Sequence, residues 1–238
     1  MKAVVYQPGM TLSDRLDFVT TLAKLPSRRD MWTSCINRLG ARTVLEIGVW
    51  KGEFAETLLK GCSAIERLYL LDPWRHLEAW NKPCNVDPEV FRAVYEEALA
   101  RTKIGGDRCV RLRGTTTEVI DQIPDRSLDL AYIDGDHTLR GISIDMIKAF
   151  PKVRPGGILG GDDYTPTIWQ HSEQFEPSLV CPFAAYFAES QNVPLVILPF
   201  GQFAILKPRE GEASSFKVID TTGSYGPRNL VWQVKPRD

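Results

Sequence analysis

Four short acidic stretches hold the side chains of this sequence that could do chemistry: Glu46 beside Gly48, Asp72 before Pro73, Asp134-Gly-Asp-His137, and Asp162-Asp163. Each follows an apolar run of strand length, at residues 43–47, 67–71, 128–133 and 157–161. A carboxylate at the carboxyl end of a buried strand lies where open α/β sheets bind their ligands. Such an acid repels phosphates, but it attracts a cation or accepts hydrogen bonds from hydroxyls and amines. Neighbouring parallel strands are ~4.8 Å apart, so Asp134, Asp162 and Asp163 would crowd together. Three carboxylates in one cleft need protons or a bridging cation, and oxygen ligation suits Mg²⁺, Mn²⁺ or Ca²⁺ rather than zinc. His137 has an unperturbed pKa of ~6.5 and can take a proton near neutrality.

The elements that must position these groups begin with residues 43–47, β-branched and apolar enough for a strand buried on both faces. Gly48 and Gly52 bracket a tight turn, and the acidic first turn and the Phe54, Leu58, Leu59 spacing of residues 53–60 predict a helix. The glycines are spaced G-x-x-x-G with no third glycine, which disfavours a dinucleotide and hence a nicotinamide dehydrogenase. Asp72 ends a second strand 26 positions after Glu46 (72 − 46), where an acid can hold two ribose hydroxyls. A ligand with a ribose, a positive centre and no phosphate suits both acids, and S-adenosylmethionine (SAM) is such a ligand. The plainer reading is a capping or salt-bridged acid for Glu46 and a turn acid for Asp72.

Val44-Leu-Glu-Ile-Gly-Val-Trp-Lys-Gly52 together with Leu71-Asp-Pro-Trp74 resembles the first two motifs of class I SAM-dependent methyltransferases, and later motifs extend the match to about residue 164. Asp134 with Asp162-Asp163, 28 positions on (162 − 134), is similar to the metal ligands of macrocin-type and catechol-type O-methyltransferases. The resemblance implies a Rossmann-like α/β fold: a seven-stranded sheet of order 3-2-1-4-5-7-6, its last strand antiparallel, with helices on both faces. It implies cofactor contacts from Glu46, Gly48, Trp50, Gly52, Asp72 and Asp134, with Trp74 flanking the adenine. Thr115 and Thr116 stand where the family touches that ring, although a helix N-cap explains them equally well. Asp134, Asp162 and Asp163 would hold the divalent ion, and His137 or Asp136 would remove the proton. Gly160-Gly161 depart from the family's apolar strand end, which predicts a looser one.

By this resemblance the reaction is methyl transfer to a hydroxyl of a sugar, polyol or phenolic compound. Transfer to nitrogen, an intramolecular alkylation, and a non-catalytic SAM-binding module remain as alternatives.

The 238 residues suffice for one α/β domain plus a cap. Cap helices are expected within residues 1–40, the core in 41–208, and a tail or arm in 209–238. Leu12, Leu16, Val19 and Leu22 recur at helical spacing, as do Met31, Trp32, Cys35, Ile36 and Leu39. Tyr6 and Trp32 either pack in the core or face the substrate. Residues 199–202 read as a hairpin turn, and residues 216–219 and 230–234 as short strands or arms that pack on a second subunit. A net charge of −1 offers no footprint for nucleic acid or an anionic membrane, so the partner is a small-molecule acceptor. No apolar run approaches the ~20 residues of a membrane span, and no leader pattern opens the chain. Five scattered cysteines without a C-x-x-C pair suit reduced thiols in a cytoplasm.

Overall fold

The computed structural model describes residues 9–225. Tyr6 and the segment 230–234 lie outside the described residues. Two helices, α1 (Leu12–Thr21) and α2 (Arg28–Leu39), precede the sheet; Thr11 and Ser27 cap them by accepting the backbone N–H three residues on, and Gly40 ends α2 at φ +60°. Then follow β1 (Thr43–Ile47), α3 (Glu53–Gly61), β2 (Arg67–Asp72), α4 (Pro88–Thr102), β3 (Cys109–Arg113), α5 (Thr116–Val119), β4 (Leu128–Ile133), α6 (Leu139–Lys152), β5 (Val153–Gly161), α7 (Val180–Ser190), β6 (Pro194–Leu198), β7 (Gln202–Leu206) and β8 (Lys217–Asp220).

The sheet has eight strands in the order β3-β2-β1-β4-β5-β7-β6-β8, one more than the sequence predicts. β7 runs antiparallel to both β5 and β6. The extra strand is β8, which pairs parallel to β6 in the same sheet and is the short strand read at residues 216–219. Phe200 (φ +62°) and Gly201 (φ +70°) turn the chain sharply enough for Leu198 to pair with Gln202 across the β6–β7 hairpin.

Alternation along the strands splits the interior in two. Val44, Leu68, Leu130, Tyr132 and Ile158 face one core with α1, α2 and α3, while Leu45, Leu71, Ala131, Ile133 and Leu159 face the other with α6 and α7. Trp32 belongs to the first, 1% exposed, which settles it as a core residue rather than a substrate contact. Its indole explains Gly160, and the Phe203 ring with the Ile133 carbonyl explains Gly161. A Cβ on Gly160 would stand 2.1 Å from Trp32 Cη2, and one on Gly161 2.4 Å from the Ile133 carbonyl. The strand end is therefore tight, not loose: the missing side chains make room for the two rings.

Register levels the strand ends. Ile47 pairs with both Leu71 and Ile133, and Ile133 pairs with Gly161. The ladder continues one residue further, with N–H groups of Gly48, Asp134 and Asp162 donating to Leu71, Ile47 and Ile133 carbonyls at 2.9, 2.7 and 3.0 Å. Four acid-bearing strand ends thus come out side by side.

Candidate active site

The turn after β1 forms the base of a cavity of about 700 Å³ that Glu46, Gly48, Val49, Trp50 and Asp72 help to line. Gly48 adopts φ +85°, and a Cβ there would stand 1.9 Å from the Asp134 carbonyl oxygen, so only glycine lets β1 and β4 end this close together. Gly52 also has a positive φ (+77°), but it packs on α4 at Ala98 and serves the turn rather than the cavity.

Glu46 is 2% exposed, and its Oε2 has no hydrogen-bond partner. Burial, with Asp134 and Asp72 as like charges, pushes its carboxyl well above the usual range, while Arg28 opposes. A buried acceptor left open beside a cavity is a place for a ligand donor or cation. Asp72 is differently placed. Its carboxylate accepts the N–H groups of Val49 (3.0 Å), Trp50 (2.9 Å) and Trp74 (2.7 Å), fixing the turn; burial still pushes it up to about 6, with those donors pulling the other way. Anchoring the turn and facing the cavity are compatible, because a carboxylate has about four acceptor positions.

Trp74 is not beside the cavity. Its ring is 1% exposed, packs on Tyr95 at 4.9 Å, and its Nε1 donates to the Trp50 carbonyl at 2.8 Å, so its amphipathic ring braces the turn from behind. Thr115 and Thr116 do line the cavity. Glu118 accepts the Thr115 N–H at 2.7 Å as a cap, and the Thr116 hydroxyl donates to Asp145 Oδ1 at 2.5 Å. Asp145, 5% exposed and also lining the cavity, escapes the sequence reading although its signal is present: it shares the buried face of α6 with Ile142, Met146 and Ala149. Burial pushes it up to about 7, with Thr116 opposing and Asp136 adding to the rise.

In the same cavity, Asp134, His137 and Asp163 each bring one ligand-capable atom into a group spanning no more than 4.8 Å. His137 Nδ1 contacts the Asp163 carboxylate, and its Nε2 lies 3.5 Å from Asp134 Oδ1 without a hydrogen bond. Burial lowers the imidazole pKa, but the two carboxylates outweigh it and hold it at about 9. Asp162 does not join this group. Its neighbour Asp163 turns through φ +58°, so the two side chains part: Asp162 meets the Arg28 guanidinium and accepts from Gln202 Nε2 at 2.5 Å, on the α2 side. Arg28 itself stands 3.5 Å from Asp134 Oδ2. Nothing in the sequence marks Arg28, the first residue of a cap helix, as part of an acidic rim. Asp136 lines the cavity but is engaged already, its Oδ1 accepting from Trp80 Nε1 and from the Thr138 N–H, both at 2.9 Å.

The carboxylates of Asp134 and Asp163 fit a divalent ion, with the His137 imidazole rather than Asp162 beside them. The open Oε2 of Glu46 and the glycine cradle fit a cationic nucleoside ligand.

Sheet order, glycine cradle and acidic strand ends define the class I methyltransferase architecture. Residues 45–164 match the family described as "Methyltransferase domain", and the chain belongs to that family. It is a SAM-dependent methyltransferase. The relative described as "Putative O-methyltransferase" in Mycobacterium avium (strain 104) is 25% identical over 182 residues, covering 72% of this chain and 71% of its own. Among solved structures, the O-methyltransferase from Bacillus cereus in complex with SAH superposes with a TM-score of 0.53 at 17% identity, covering 84% of this chain and 94% of that one. The "putative caffeoyl-CoA O-methyltransferase" from Staphylococcus aureus gives 0.55 at 12% identity, covering 83% and 93%. All described cysteines are free, and among the described residues no helix is long and apolar enough to cross a membrane.

Proposed function

We propose that the chain transfers the SAM methyl group to a hydroxyl of a small sugar, polyol or phenolic acceptor, assisted by a divalent ion. One observation carries this reading: Asp134, His137 and Asp163 converge in the same cavity that the open carboxylate of Glu46 lines. Glu46 and Asp72 hold the cofactor, with Gly48 letting its backbone approach and Thr115 and Thr116 at the far wall. Asp134 and Asp163 hold the ion, which when bound would lower the pKa of an acceptor hydroxyl and fix its orientation. His137 is held charged by those two carboxylates until a cation offsets them; with the ion in place it would lose that pull, become neutral and be free to take the hydroxyl proton. With the proton gone, alignment toward the donor methyl accounts for most of the rate.

The Arg28 guanidinium, on the rim between Asp134 and Asp162, favours a second reading. There the arginine supplies the positive charge, and His137 acts without an ion. Incubation with SAM and a panel of phenols, vicinal diols and sugars, with Mg²⁺ or with EDTA, separates the two. SAH formed only with Mg²⁺ supports the first, and SAH formed equally in EDTA supports the second. Methylthioadenosine as the product would replace both with an intramolecular alkylation.

A further inference from the structure

Two irregular segments close the acceptor end of the cavity: residues 73–87, between β2 and α4, and residues 165–179, between β5 and α7. Trp80, Lys82, Pro83 and Cys84 of the first and His171 of the second line it. The first segment is closed on itself by Asn85, whose Nδ2 donates to the Leu77 and Trp80 carbonyls at 2.7 and 2.6 Å and whose Oδ1 accepts the Leu77 N–H at 3.0 Å. The two segments are joined to each other. Lys82, 7% exposed, donates from Nζ to the Glu176 carbonyl (2.7 Å) and Ser178 Oγ (3.1 Å), and Asn81 exchanges backbone and side-chain bonds with Gln174 and Glu176. Burying this ammonium is costly, and the hydrogen bonds together with the nearby charges of Asp136, Asp163 and Glu176 offset that cost while Lys82 joins the two loops into one wall.

That wall must be fastened to the sheet. Asp136 Oδ1 receives the Trp80 indole N–H and the Thr138 backbone N–H together, and Gly141 lies so close that a Cβ there would stand 2.1 Å from the Asp136 carboxyl carbon. A carboxylate wedged against α6 and spending one oxygen on two donors is arranged to hold, not to shuttle protons. We propose that Asp136 is a positioning residue: it latches the Trp80 segment, and through Lys82 the second segment, to the β4–α6 turn, and so sets the shape of the acceptor pocket. Arg140, whose guanidinium donates to the Ala79 carbonyl at 2.7 Å, reinforces the same fastening from the next turn of chain. The latch rests on the methyl-transfer reading only in naming this wall the acceptor's.

Hydrogen exchange of the full chain tests it, comparing the parent with Asp136→Ala, Asp136→Asn and Trp80→Phe. Loss of a charge-assisted bond should speed amide exchange in residues 77–85 at least about tenfold in Asp136→Ala, and in 168–178 along with it. Trp80→Phe, which keeps a ring and deletes the donor, should do the same, and it keeps the test sound if Asp136→Ala folds poorly. Asp136→Asn retains an oxygen acceptor and should stay within about threefold of the parent. Parental exchange in both Asp136→Ala and Trp80→Phe would overturn the latch, as would loosening in Asp136→Asn equal to that in Asp136→Ala. A calorimetric titration of the parent with SAH runs alongside. Failure to bind SAH would strike the methyl-transfer reading and leave the exchange result standing.

Discussion

The guanidinium of Arg28 contacts the carboxylate of Asp162 and stands 3.5 Å from Asp134, so a cap helix contributes a fixed positive charge to the acidic end of the sheet. A charge at that distance is worth several kcal/mol at an effective dielectric of ~20, before solvent screening. Arg28→Met should therefore tighten Mn²⁺ binding by about tenfold, read by calorimetry or by the Mn²⁺ resonance signal. An unchanged affinity would mean that the arginine and an ion do not compete for this rim.

Glu46 offers a second measurement. Burial first, and then Asp134 and Asp72, raise its carboxyl well above the ordinary range, so a cationic ligand that draws it back down must release a proton as it binds. SAM affinity should rise with pH until that carboxyl is ionised in the free protein. Binding heats in two buffers of different ionisation enthalpy check this. Glu46→Gln should abolish the proton release and weaken SAM binding by about 10- to 100-fold.

Asp145 governs a stability slope. Its folded pKa of about 7 lies above the ordinary 3.8, so between those values the folded chain holds a proton that the unfolded chain has lost. Stability contributed this way is present below about pH 4 and declines as pH rises through about 7, by at most about 4 kcal/mol. Asp72, raised to about 6, acts in the same direction, so the parent-minus-variant difference is the quantity to read. Asp145→Asn should flatten the fall in melting temperature between pH 5 and pH 8; parallel curves would refute the assignment.

Gly160→Ala tests the tight strand end. The added methyl meets Trp32 Cη2 at 2.1 Å and the Phe203 carbonyl oxygen at 2.9 Å. An overpacked core of this kind costs about 1–3 kcal/mol, visible as a lower urea midpoint at constant slope. A neutral substitution would show that the indole can move aside.

The strand–turn–helix from Thr43 to Glu53 was legible because each local signal agreed with its neighbours: β-branched apolar residues, a glycine, then acids opening an amphipathic helix. The acids at strand ends were legible too, since parallel strands must bring them to one edge. What the sequence hid was direction. Asp162 and Asp163 are adjacent, and only the left-handed turn at Asp163 reveals that they serve opposite sides. Trp74 looked like a ring beside a ligand because it follows Asp72, yet Tyr95, a contact 21 positions away (95 − 74), draws it into the core. Arg28 and the Trp80–Asp136 bond depend on separations of over a hundred and of 56 residues, which no local pattern encodes. β8 has only four residues, too few for alternation to distinguish a sheet edge from an arm.

Trp32 lies one helical turn beyond Arg28 on α2, seated over Gly160, with its Nε1 donating to Gln202 at 2.8 Å; Gln202 in turn donates to Asp162. This circuit bolts the amino-terminal flank of the pocket to the sheet, so that flank cannot open as a body and only the arginine's own rotamers remain free to respond. Both flanks of the pocket are thus fastened to the sheet, the amino-terminal one through Gln202 and the other through Asp136.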